Sequence, residues 1–147
     1  MATEIHLEIP NSSLALRETS LTILEGLHKY FIPKEVIFDI QVAFEEAVRN
    51  AMLHGNKLSD DKKVKIDVVI TEQEITIKVE DQGEGYDPSL VPDPTLEENL
   101  LKESGRGVYM IKHLMDNVSY EKQGRKIIMN KRFGRINKGD MYACGNN

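Results

Sequence analysis

Apolar and polar residues alternate over residues 3–9, TEIHLEI, placing Ile5, Leu7 and Ile9 on one side of a half-buried strand. Pro10 and Asn11 close it, and Ser12 or Ser13 can cap a helix over roughly 13–31, with Leu14, Leu21, Leu24 and Leu27 at helical spacing. Pro33 suits the first turn of a second helix, where its missing N–H would be unsatisfied in any case. That helix is predicted to reach His54 and to stop at Gly55 and Asn56, with Ile37, Ile40, Ala43, Phe44, Ala47 and Ala51 as its apolar stripe. Alternation returns over 63–70, KVKIDVVI, and 74–80, EITIKVE, joined by a short hairpin link. From 81 to 104 the periodicity fails, and Gly83, Gly85, Pro88, Pro92 and Pro94 mark a long irregular segment of the kind that usually carries function. A third helix is expected from about Gly107 to Asp116, and a last hairpin from 117–122 and 126–132 turning at Gln123-Gly124.

Strand, two helices, hairpin, loop, helix, hairpin is not the rhythm of strand–helix crossovers. The pattern predicts an α+β fold, a two-layer sandwich in which a mixed, mostly antiparallel sheet is covered by three helices. One domain over 1–134 and a polar tail over 135–147 account for the 147 residues. Composition leaves this picture intact: 40% hydrophobic and 29% charged residues fit a soluble globular chain. A net charge of -5 argues against a domain that works directly on nucleic acid backbones. The one cysteine, Cys144, allows no internal disulfide, and the four histidines are scattered, so no metal cluster is visible. His54 is expected to pack or cap, and Met110, Met115 and Met129 to lie in the core. No signal peptide or membrane span is legible, and a cytoplasmic, reducing location is expected.

Three short segments carry the candidate chemistry. In Glu46-Ala-Val-Arg-Asn50 the carboxylate and the amide lie one turn apart on one helix face. There Asn50 can give magnesium an oxygen ligand and Glu46 can deprotonate a hydroxyl. Asp81-Gln-Gly83-Glu-Gly85 follows a strand directly; the carboxylate can accept from an exocyclic amine such as that of adenine, and the glycines let the backbone approach a flat ring. Ser104-Gly105-Arg106-Gly107 precedes the third helix, whose free N–H groups would attract phosphate, with Arg106 or Lys102 adding charge-assisted bonds. Alone, each pattern also fits an ordinary helix edge, turn or helix entry. Neither a Walker-type loop nor a dinucleotide fingerprint is present.

Together and in this order, Glu46…Asn50, Asp81-x-Gly83-x-Gly85 and Gly105-x-Gly107 resemble the N, G1 and G2 boxes of the Bergerat-fold ATPases, the histidine-kinase-like (GHKL) superfamily, over residues 5–133. The stretches EEAVRNAMLHGN, VEDQGEGYDP and SGRGVYMIKHLMD are most similar to its anti-sigma-factor serine/threonine kinases. The resemblance implies that Asn50 binds magnesium, Glu46 is the general base, Asp81 takes the adenine amino group, Gly83, Gly85, Gly105 and Gly107 shape the pocket, and 86–104 form an ATP lid. It further implies ATP and Mg2+ as cofactors, a STAS-domain anti-sigma-factor antagonist as phosphoacceptor, a sigma factor as sequestered partner, and a homodimer. The alternative is a nucleotide-dependent binding module of the same fold without kinase activity.

Overall fold

In the computed structural model, which describes residues 2–85 and 103–133 (Glu103–Arg106 by backbone alone), each alternating run becomes a strand. These are β1 (Thr3–Pro10), β2 (Lys63–Ile70), β3 (Glu74–Glu80), β4 (Asn117–Glu121) and β5 (Lys126–Arg132). The helices are α1 (Ser13–Leu27), α2 (Lys34–Asn50) and α3 (Glu103–Leu114). The strands form one sheet in the order β1-β2-β3-β5-β4. All four pairings are antiparallel, so the mostly antiparallel sheet needs no parallel member. Hairpin links impose that direction on neighbours in sequence. The expected tail over 135–147, with Cys144, lies outside the described residues, as does the expected lid up to Lys102.

One face of the sheet is the core. Val64, Ile66, Val68 and Ile70 of β2 and Ile75, Ile77 and Val79 of β3 are all buried there, together with Ile127 and Met129 of β5. The helices cover this face. α2 contacts both other helices and β3, and sinks Ile40, Ala43, Phe44, Ala47 and Val48. The opposite face is polar, and one row across it alternates in sign: Glu8, Lys65, Glu80, Lys126 and Glu121 stand in register on successive strands.

Several expectations need correction. The core stripe of α1 is Leu16, Thr19, Ser20, Ile23, Gly26 and Leu27, whereas Leu14 and Leu21 are exposed. Small residues turn inward because the helix lies close to the sheet: a Cβ on Gly26 would come within 3.1 Å of Ile70 Cδ1. The helix also ends at Leu27, not 31, and Tyr30 beyond it bonds its hydroxyl to the Ile70 carbonyl at 3.1 Å. α3 begins at Glu103, four residues ahead of Gly107, so Ser104, Gly105, Arg106 and Gly107 lie inside the helix and not before it. Met115 and Met129 are buried, but Met110 is on the solvent side of α3, and His54 is exposed.

α2 does not stop at Asn50. It passes into one wider π turn, Ala51–Gly55, closed by the Asn56 N–H donating to the Ala51 carbonyl at 2.7 Å. The extra residue per turn delivers Asn56 into the interior, where it is fully buried. Its amide nitrogen donates to Asn11 Oδ1 and to the Lys63 carbonyl, both at 3.0 Å, and its oxygen accepts from the Gln82 N–H at 2.7 Å. One side chain thus ties the end of α2 to the start of β2 and to the residue after Asp81. Truncating it leaves several buried polar groups unpaired, which costs far more than the bonds themselves contribute. Asn56→Ala is expected to lower unfolding free energy by about 2–4 kcal/mol in urea titrations. A loss below about 0.5 kcal/mol, the level of an ordinary surface change, would show that Asn56 does not hold this junction.

Candidate nucleotide site

Glu46 and Asn50 occupy the last turn and a half of α2, and Gly107 of α3 lies directly against them. A Cβ built on Gly107 would sit 2.3 Å from Glu46 Oε1 and 3.1 Å from Asn50 Nδ2. Any side chain at 107 would therefore displace the carboxylate. Glycine at 107 thus leaves the carboxylate and the amide side by side where the two helices meet. The other carboxylate oxygen, Glu46 Oε2, accepts from Arg49 Nη1 at 2.9 Å. This pair lies one turn apart on the helix and fixes the rotamer of Glu46 more than it adds to stability.

A second junction forms where the π turn meets the end of β3. Asp81 is buried, and its Oδ1 accepts from the Gly83 N–H at 2.8 Å. Its own N–H donates to the Arg125 carbonyl at 2.8 Å. Gly55 and Gly83 both press on this carboxylate: a Cβ on Gly55 would lie 2.3 Å from it, and one on Gly83 would lie 2.0 Å from the Gly55 carbonyl oxygen. Gly85, at φ +88°, faces the β4–β5 turn, where a Cβ would come within 2.5 Å of the Gln123 carbonyl oxygen. Burial pushes the Asp81 carboxyl above its ordinary value; the Gly83 N–H and the Arg125 charge pull it back without cancelling the rise.

Both junctions open on one cleft enclosing about 360 Å³, solvent at its mouth included. Asn50, Asp81, Tyr120 and Arg125 are its lining residues with polar side chains, and Val79, Val108 and Ile111 are among its apolar walls. An apolar slot with a few convergent polar groups suits a planar heterocycle better than a free anion. Glu46 stands one turn before Asn50, beside the cleft and not in its lining. With α3 starting at Glu103, the N–H groups of residues 103–105 have no partner within the helix. The expected donors at 105–107 thus fall inside α3, the free N–H groups lie nearer the helix start, and Gly107 acts as a spacer. Lys102 lies outside the described residues, and of Ser104, Gly105 and Arg106 the backbone alone is placed. Among the described residues no group of three or more His, Cys, Asp or Glu could hold a metal. A magnesium ion would depend on an amide ligand and on substrate phosphates, a donor set that Asn50 fits.

Three contributors were not singled out from sequence. Gly55 and Asn56 read as a helix stop, and their contacts with Asp81 and Gln82 appear only in three dimensions. Arg125 follows a turn glycine and carries no local signal of a cleft.

A family model described as the histidine kinase-like ATPase domain matches residues 9–131. The anti-sigma F factor of Clostridium novyi is 38% identical over 108 residues, covering 69% of this chain and 75% of the relative. That of Clostridium perfringens is 37% identical over 108 residues, covering 67% and 74%. The serine-protein kinase RsbW of Listeria monocytogenes is 29% identical over 104 residues, covering 66% of each.

The position of Asp81 predicts a pH dependence. Because its folded pKa lies above the ordinary 3.8, the folded chain holds this proton more tightly than the unfolded chain. Its contribution to stability is therefore most favourable in acid and falls as pH rises through the raised pKa. The stability of the native chain minus that of Asp81→Asn, from urea titrations at a series of pH values, is expected to decline as pH climbs from 3.8. A difference that grows over that range would mean that hydrogen bonding, not burial, governs this carboxyl.

Proposed function

The chain belongs to the histidine kinase-like ATPase domain family, and on that footing we propose that it is an anti-sigma-factor serine/threonine kinase that uses Mg-ATP. The observation that carries this reading is the convergence of three distant segments: Glu46 and Asn50 against Gly107, and Asn50 with Asp81 in one cleft. We assign the adenine amino group to the Asp81 carboxylate, a buried acceptor whose burial would be offset by a bound donor. Gly83 and Gly85 keep the adjoining backbone low enough for a flat ring to lie against it. Asn50 would be the protein ligand of the magnesium, with the N–H groups at the start of α3 facing the phosphates. The chemistry magnesium supplies when bound is neutralisation of charge on the β- and γ-phosphate oxygens.

Glu46 is the general base in this scheme. A partner's serine hydroxyl would lose its proton to the Glu46 carboxylate while its oxygen forms a bond to the γ-phosphorus and the bond to the β,γ-bridging oxygen breaks, releasing ADP. The protein's share of the catalysis is positioning and a fixed carboxylate, with little covalent work of its own. The phosphoacceptor we propose is a STAS-domain antagonist, and the second partner a sigma factor that exchanges with it on the same surface; phosphate on the antagonist would weaken its docking by repulsion and desolvation. Association into a homodimer belongs to the same proposal. No helix among the described residues is long and apolar enough to cross a membrane.

Incubation with γ-labelled ATP, magnesium and a STAS antagonist should transfer label to the antagonist. Glu46→Ala should bind ATP within about threefold of the native chain yet transfer at least ~100-fold more slowly, the usual yield of general base catalysis. Binding with no label on the antagonist would leave a nucleotide-dependent module in place of a kinase, and normal transfer by Glu46→Ala would remove Glu46 as the base.

A further inference from the structure

Arg125 is the one cation in the lining of the cleft among the described residues. Its backbone is fixed by the Asp81 N–H, and its Nε donates to the Lys122 carbonyl at 3.0 Å. That second bond ties the stem of the side chain to the β4–β5 turn, where Lys122, Gln123 and Gly124 all have positive φ. Gly85 is its neighbour across the turn: a Cβ there would lie 3.4 Å from Arg125 Cγ, an ordinary contact distance. Glu80, the carboxylate that precedes Asp81, is occupied by Lys122 at 2.9 Å. Among the described residues no carboxylate lies within ion-pair distance of Arg125. Arg125 is half-buried as a residue, and its guanidinium, tethered at Nε and spared an ion pair near a buried carboxylate, has donors and a flat face to offer a ligand.

We propose that Arg125 is a nucleotide-contacting residue that sets recognition at the base end of the cleft, beside Asp81. The proposal rests on the adenine-nucleotide reading of the site and extends it. Asp81 is an acceptor and can recognise an exocyclic amine; it offers nothing to the ring's acceptor nitrogens or to its face. A guanidinium offers both, because it has donors alone and its weakly hydrated plane lies well on aromatic surfaces. Its place supports the base end over the phosphate end. The Arg125 carbonyl accepts from the Asp81 N–H and its Cγ lies beside Gly85, whereas Gly107 of α3 meets α2 at Glu46 and Asn50.

Titration calorimetry with adenosine, ADP and ATP separates the possibilities, using the native chain, Arg125→Ala and Arg125→Lys, each with a melting curve. Loss of a partly desolvated guanidinium–aromatic contact should weaken all three ligands by a similar factor, roughly 5–30-fold. Arg125→Lys should regain little of it, because an ammonium has neither the plane nor the Nε tether. Unchanged adenosine affinity in a folded variant, or a loss that appears only with ADP and ATP, would overturn the proposal and move the cation to the phosphates. If Arg125→Ala melts below the assay temperature, Arg125→Lys decides on the same criteria. A native chain that binds none of the three ligands would sink the adenine reading itself, and this extension with it.

Discussion

Nothing larger than a hydrogen atom fits between the backbone of Gly55 and the carboxyl of Asp81, and most of the site's geometry follows from that constraint. Gly55 ends the π turn of α2, and Asp81 directly follows β3. When these termini meet, the Asp81 side chain is removed from water and its Oδ1 is left one short bond, to the Gly83 N–H. The contact also fixes the distance between Asn50, five residues before Gly55, and Asp81. A π turn is an unfavourable local choice that survives where tertiary contacts over-determine it, and here Asn56 provides three of them.

The cleft divides its work by element. Helix α2 and the start of α3 bring an amide, a carboxylate and free N–H groups, which suit phosphate and magnesium. The end of β3 and the β4–β5 turn bring a buried acceptor and a tethered guanidinium, which suit a heterocycle. Apolar residues such as Val79, Val108 and Ile111 lie among them and exclude water, so that each polar contact counts for more than it would at a surface. The Clostridium perfringens relative named anti-sigma F factor aligns with 67% of this chain at 37% identity, which places the comparison on whole segments and not on isolated motifs.

The alternating runs gave β2 and β3 to the residue, because a two-residue period with one buried face leaves little freedom. The boxes at Glu46…Asn50 and Asp81-x-Gly83 were legible for a related reason: helical spacing and a strand end are local properties. What failed was decided by packing. Leucines at 14 and 21 looked like a core stripe, but α1 approaches the sheet too closely for them and turns Thr19, Ser20 and Gly26 inward. The start of α3 was set late because Gly105 and Gly107 read as an entry turn, yet Gly107 is required by the carboxylate of another helix. Arg125 and Asn56 had no local signature, since their roles arise from neighbours distant in sequence.

The alternating row on the outer face has a bearing on the cleft behind it. Sliding β3 against β2 by two residues would keep the buried isoleucines and valines of both strands facing the helices, so the core alone tolerates the error. In one direction the slip sets Lys65 opposite Lys78, and in the other Asp67 opposite Glu80, in place of the native Lys65–Glu80 and Asp67–Lys78 partners. Either misalignment would carry Asp81 some two residues away from Gly55. Charges on the solvent side, remote from any ligand, thereby proofread where the acid of the cleft comes to rest.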